Sequence, residues 1–129
     1  MGMEGTKLVL GPECFRIQGA VFQVYREMGS GFLESVYQEC LEREFLRSGI
    51  PFEPQKEIRL VYCGEPLLQT FRADFLCFNQ VILEIKAVKE IASEHRAQVL
   101  NYLKATGYKV GLLANFGSHP KAIVERFVL

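Results

Sequence analysis

Four charged side chains, Arg72, Asp74, Glu84 and Lys86, interrupt a stretch otherwise rich in Val, Ile, Leu and Phe. Side chains alternate between the two faces of a strand, so Glu84 and Lys86 share a face. If Asp74 stands opposite Glu84 on a neighbouring strand, the two Cβ atoms lie roughly 4.5–5.5 Å apart. Like charges so placed destabilise each other, and burial either raises a carboxyl pKa or demands a cation. A divalent metal is the simplest compensation, because Mg2+ favours carboxylate oxygens and keeps several waters. The competing reading is a partly solvated face on which Arg72 and Lys86 neutralise the acids.

The element that must position these groups is residues 70–88. Two apolar runs, Phe71–Phe78 and Val81–Val88, flank Asn79-Gln80 and read together as a hairpin. With Asn79 at the centre of the turn, one face pairs Cys77 with Val81, Phe75 with Leu83, Ala73 with Ile85 and Phe71 with Ala87. The other pairs Leu76 with Ile82, Asp74 with Glu84 and Arg72 with Lys86. A two-residue loop over Asn79-Gln80 would instead set Asp74 against Ile85 and Glu84 against Ala73, mixing charge into both faces. A one-residue slip of that kind is disfavoured when one face is buried. The first register is therefore expected.

Further polar groups come from the elements around this hairpin. A helix is expected from about Pro12 to Met28, with Phe15, Val21, Phe22, Val24, Tyr25 and Met28 at its apolar positions. Gly29-Ser30-Gly31 stops it, and Ser30 can cap the next helix, Phe32 to Ser48. There Leu33, Val36, Tyr37, Cys40, Leu41 and Phe45 form the buried stripe, and Gly49 ends it. Glu34 lies at the edge of that stripe, one turn before Tyr37 and Gln38. By itself it reads as a first-turn carboxylate favoured by the helix dipole, worth ~0.3–1 kcal/mol. Pro51 and Pro54 frame a connector, Gln55 to Tyr62 alternates as a first strand, and Cys63-Gly64-Glu65-Pro66 is a turn. After the hairpin, Ser93 caps a helix running to about Thr106 and closed by Gly107, with Val99, Leu100 and Leu103 packed inward. Gln98 and Tyr102 share a neighbouring stripe, so their polar ends point the same way. His95 reads as a solvated or capping residue. Tyr108 to Phe116 reads as a buried strand and Ala122 to Leu129 as a last, edge strand. The order helix, helix, three strands, helix, strand, strand makes a mixed α/β sandwich around one sheet.

Composition narrows the class. A chain of 129 residues with 49% apolar and 23% charged residues reads as one domain, 1–129, with 1–10 a loose lead-in. Zero formal net charge argues against a basic, non-specific DNA coat, but not against a local basic groove. Cys14, Cys40, Cys63 and Cys77 show no zinc-site spacing, and no signal-peptide pattern is present, so a reducing cytoplasm is expected. No apolar run approaches the ~18 residues that span a bilayer, so no membrane role is expected. Gly2 and Thr6 fit the short myristoylation pattern, one that matches often by chance.

Gly31-Phe32-Leu33-Glu34-Ser35-Val36-Tyr37 resembles the signature of the GxxExxY protein family. Asp74, Glu84-Ile85-Lys86 and Gln98 with Tyr102 resemble the motif series of the PD-(D/E)XK nuclease superfamily, with Ala73 where the superfamily's name places proline. The resemblance runs from about residue 12 to 129 and implies a restriction-endonuclease-like α/β core, a mixed central sheet flanked by helices. It further implies that Asp74 and Glu84, helped by the Ile85 carbonyl, bind Mg2+ or Mn2+, with Glu34 as a further ligand or water contact. Lys86 would orient the attacking water and stabilise charge on the phosphate. Gln98 would position water or phosphate, with Tyr102 and Tyr37 beside it. The activity so implied is metal-dependent hydrolysis of phosphodiester bonds in DNA or RNA. The alternatives are a non-catalytic module of the same fold that binds nucleic acid or protein, and a subunit acting as a homodimer or with a partner protein.

Overall fold

Val81–Ile85 and Val110–Asn115 are buried along their whole length, and they form the centre of the sheet. Runs apolar on both faces suit parallel strands covered on both sides. The computed structural model describes residues 8–129; Gly2, Thr6 and the first seven positions of the expected lead-in lie outside them. The elements are α1 (Gly11–Met28), α2 (Glu34–Ser48), β1 (Phe52–Tyr62), β2 (Glu65–Cys77), β3 (Val81–Lys86), α3 (Ser93–Thr106), β4 (Val110–Asn115) and β5 (Ile123–Val128). The five strands lie in chain order. Among the described residues only β3 and β4 pair parallel, so α3 is the crossover that joins them. This is the expected mixed sheet flanked by helices.

Each face of the sheet has its own core. On one, α1 buries Cys14, Ile17, Ala20, Val21 and Val24, and α2 buries Tyr37, Leu41 and Phe45, against Phe75, Leu83, Ile85, Leu112 and Phe116. On the other, Leu103 of α3 packs with Ile58, Ala73, Leu76 and Ile82. Close seating of α3 depends on Gly111, where a Cβ atom would come within 2.8 Å of Val99 Cγ1.

The hairpin register is the expected one at Cys77–Val81, Leu76–Ile82 and Phe75–Leu83, and there the β2–β3 ladder ends. Upstream, β2 continues to pair with β1 alone, and its alternation breaks at Asp74. Ala73 and Phe71 therefore turn toward α3, not onto the face of Phe75 and Ile85. Strand β2 also begins at Glu65, six residues before the expected run, because the turn is confined to Cys63 and Gly64 at φ 52° and 82°. All of residues 61–70 are exposed, so this arm has no buried face to impose an alternating pattern. Strand β1 begins at Phe52 and absorbs the expected connector around Pro54. Helix α2 starts at Glu34, capped by the backbone of Leu33 and not by Ser30, and Leu33 is exposed. Phe15, expected in the apolar stripe of α1, is 78% exposed.

Candidate active site

Where β2 and β3 part, side chains take over the hydrogen bonds that a ladder would make. The Asp74 N–H donates to Glu84 Oε2 at 2.9 Å, and the Ile85 N–H donates to Asp74 Oδ2 at 2.8 Å. Each acid thus accepts the backbone donor of the opposite strand, and the two carboxyl groups are locked side by side. Two further elements hold Asp74. From β1, Gln55 sends Nε2 toward Asp74 Oδ1 at 3.4 Å, and from α2, Gln38 Nε2 donates to the Asp74 carbonyl at 3.3 Å. The β1–β2 ladder skips the Gln55–Asp74 position, and Gln55 adopts φ 50°, a left-handed conformation uncommon for a residue with a side chain.

The electrostatics follow from this enclosure. Glu84 is only 5% exposed, and burial, then the neighbouring Asp74 charge, push its carboxyl up to about 8, with Glu34 adding to the rise. The Asp74 N–H and Lys86 oppose that rise without cancelling it. Burial also raises Asp74, against the lowering effects of the Ile85 N–H, Gln55 and Lys86. Tyr102 is raised by burial and then by Glu84 and Asp74, which places its hydroxyl in the field of both acids. Among the described residues no ion pair within 4.0 Å includes Lys86 or Glu34.

Glu34, the first residue of α2, is exposed and lines a cleft of about 190 Å³ together with Ser35, Gln38, Gln55, Asp74 and Ile85. A larger groove of about 690 Å³ between α1 and α2 contains none of these acids, so size does not mark the site. Across the sheet, Gln98 is half-buried on α3 one turn before Tyr102, whose ring stacks on Phe71 at 3.5 Å between centroids. No hydrogen bond links Gln98 to the acids among the described residues. Tyr37 does not stand beside Gln98. It is buried on the α1/α2 face, where its hydroxyl donates to the Gly29 carbonyl at 2.6 Å and accepts the Phe32 N–H at 3.3 Å. Its contribution is to hold the loop that presents Glu34. His95 is a cap: its Nδ1 accepts the Ala92 N–H at 3.0 Å.

Gln38 and Gln55 both contact Asp74, although neither belongs to the motif series that marks the acids. Gln38 follows Glu34 by four positions, a spacing that puts both on one helix face. Gln55 reaches Asp74 only through the β1–β2 register. Among the described residues no three His, Cys, Asp or Glu side chains are gathered as a metal-holding group. Asp74 and Glu84 therefore offer two carboxylates and Glu34 stands apart. Two carboxylates with water in the remaining positions fit Mg2+, which seldom uses an all-protein cage.

A mixed sheet with helices on both faces and paired acids where two central strands diverge defines a restriction-endonuclease-like core. The sequence matches the family model of the PD-(D/E)XK nuclease superfamily over residues 12–127, and the chain belongs to that superfamily. Its fold is similar to the crystal structure of SSO0001, with a TM-score of 0.59 and 18% identity over 74% of this chain and 50% of that one. The chain thus spans about half the length of SSO0001. No curated protein matches the sequence at a significant level.

Proposed function

We propose that the chain is a metal-dependent nuclease of the GxxExxY type that hydrolyses phosphodiester bonds of DNA or RNA. The observation that carries this reading is the reciprocal bonding of Asp74 and Glu84 to each other's strands. It holds a buried carboxyl, Glu84, against a half-buried one, Asp74, although Glu84 is pushed up to about 8. Such an arrangement costs stability unless a cation joins it.

Asp74 and Glu84 would hold Mg2+ or Mn2+, with the Ile85 carbonyl as a further donor. The ion when bound supplies Lewis acidity toward water and phosphate. Lys86 supplies a point charge that orients the water and stabilises negative charge on the phosphate oxygens. Glu34, across the cleft, holds a water or closes the ligand set. Gln98 and Tyr102 steady water or phosphate from the α3 side. Residues 1–129 act as one domain, and four unpaired thiols suit a reducing cytoplasm.

Assayed against single- and double-stranded DNA and RNA, the chain is expected to cleave at least one of them with Mg2+ or Mn2+, and EDTA to abolish that cleavage. Asp74→Ala and Lys86→Ala should each reduce it by at least ~100-fold. Undiminished cleavage by both variants would remove the site assignment. A second reading, a binding module with slow or absent cleavage, is favoured by the small cleft and zero net charge. Nucleic acid bound but left intact under every metal condition would select it. A homodimer is also open to a column-elution series.

A further inference from the structure

Beside the paired acids, a second cleft of about 400 Å³ opens between the loop entering α2 and the segment leaving β3. One wall is Phe32 and Leu33, 45% and 75% exposed, immediately before Glu34. The other is Val88 and Lys89, just beyond Lys86, backed by Gly117.

Both walls are held by buried polar side chains with no role among the acids. Tyr37, stacked on Phe116 at 4.3 Å, accepts the Phe32 N–H, and the Phe32 and Tyr37 rings meet in a T with centroids 6.1 Å apart. On the facing wall, Asn115 is fully buried and brackets Val88. Its Oδ1 accepts the Val88 N–H at 3.0 Å, and its Nδ2 donates to the Val88 carbonyl at 2.8 Å. Gly117 lies so close that a Cβ atom there would be 2.1 Å from the Val88 oxygen. The result is a preorganised slot with a half-open aromatic face on one side and at its rim an exposed cation, Lys89, that makes no ion pair among the described residues. Lys89 also borders the neighbouring cleft, which Glu90 and Glu125 line and the slot does not share.

A planar apolar surface beside a cation matches one nucleotide, with the base on the ring and the phosphate at the ammonium. A base inside a continuous duplex has no free face to offer. We infer that this slot takes an unpaired nucleobase against Phe32, with its phosphate at Lys89, and so directs the site to single strands or to nucleic acid unpaired beside the scissile bond. The inference rests on the nuclease reading only in taking nucleic acid as the ligand.

The test is fluorescence anisotropy with a short 2-aminopurine-containing strand, alone and annealed to its complement. Ca2+ is supplied to neutralise the acids without meeting the strict octahedral geometry of Mg2+. The single strand should bind more tightly than the duplex, with the 2-aminopurine emission quenched on binding. Phe32→Ala should weaken single-strand binding about tenfold and abolish the quenching, while Phe32→Trp restores both. Lys89→Ala should weaken binding without removing the quenching. Circular dichroism checks that each variant is folded. Duplex binding as tight as single-strand binding and indifferent to Phe32→Ala would overturn the inference and leave the nuclease reading intact. No binding of either form by the wild-type protein would overturn both.

Discussion

Glu84 is the buried member of the acid pair. Its carboxyl is pushed up to about 8, against about 4.3 for the same group in an unfolded chain. The folded state therefore binds this proton more tightly. The contribution to stability is fully present below the unfolded value and is lost as pH rises through about 8. Metal-free protein in EDTA should lose stability between pH 5 and pH 8, by an amount on the order of a few kcal/mol. Glu84→Gln, which keeps an acceptor for the Asp74 N–H without the ionisation, should flatten that profile. Urea denaturation across the pH series measures both. A wild-type profile that is flat or rises over this window would show that Glu84 is not held protonated. A cation competing with the proton should bind more tightly as pH rises through the same window.

At the scale of elements, the site exists because β2 leaves β3 while staying paired with β1. The divergence opens the sheet at Asp74, and α2 and α3 approach from opposite faces. The position of α3 is set by its contact with β4 at Gly111. Gly111→Ala should cost about 1–3 kcal/mol by overpacking Val99, and Val99→Ala in the same chain should recover part of that loss. Chemical denaturation of the single and double variants measures the coupling. Equal losses in Gly111→Ala with and without Val99→Ala would mean that α3 is not seated there. The position of α2 depends on Tyr37 in a comparable way, through the loop bonds at Gly29 and Phe32.

Across the whole molecule, zero net charge leaves no general attraction for a polyanion. Under the proposed function, recognition would then come from local groups, and the paired acids would repel phosphate until a cation joined them. Divalent metal should therefore stabilise the folded chain by mass action, about 2.7 kcal/mol at a hundredfold excess over Kd. A thermal shift with Mn2+ that EDTA reverses and Asp74→Ala abolishes is the expected result. A shift that persists in Asp74→Ala would place the ion elsewhere.

How much of this was legible from the chain depends on the range of the interactions involved. Helices and central strands follow from apolar periodicity and from Gly49, Gly107 and Asn79, because burial of one face and local backbone preference act over a few residues. The Phe75–Leu83 register followed as well, since a slip would have moved charge into the core. The nuclease superfamily was visible in the order of Glu34, Asp74, Glu84, Lys86 and Gln98. The exposed arm of β2, the turning of Ala73 toward α3 and the left-handed Gln55 were not visible, because each depends on strand pairing that no local pattern encodes. Tertiary structure alone also decided that Tyr37 holds a loop on the face away from Gln98, and that Gln38 and Gln55 hold Asp74. A side chain's partner is set by which elements the fold brings across the sheet. The paired acids could be named from sequence, but the divergence that encloses them required β1, β2 and β3 together.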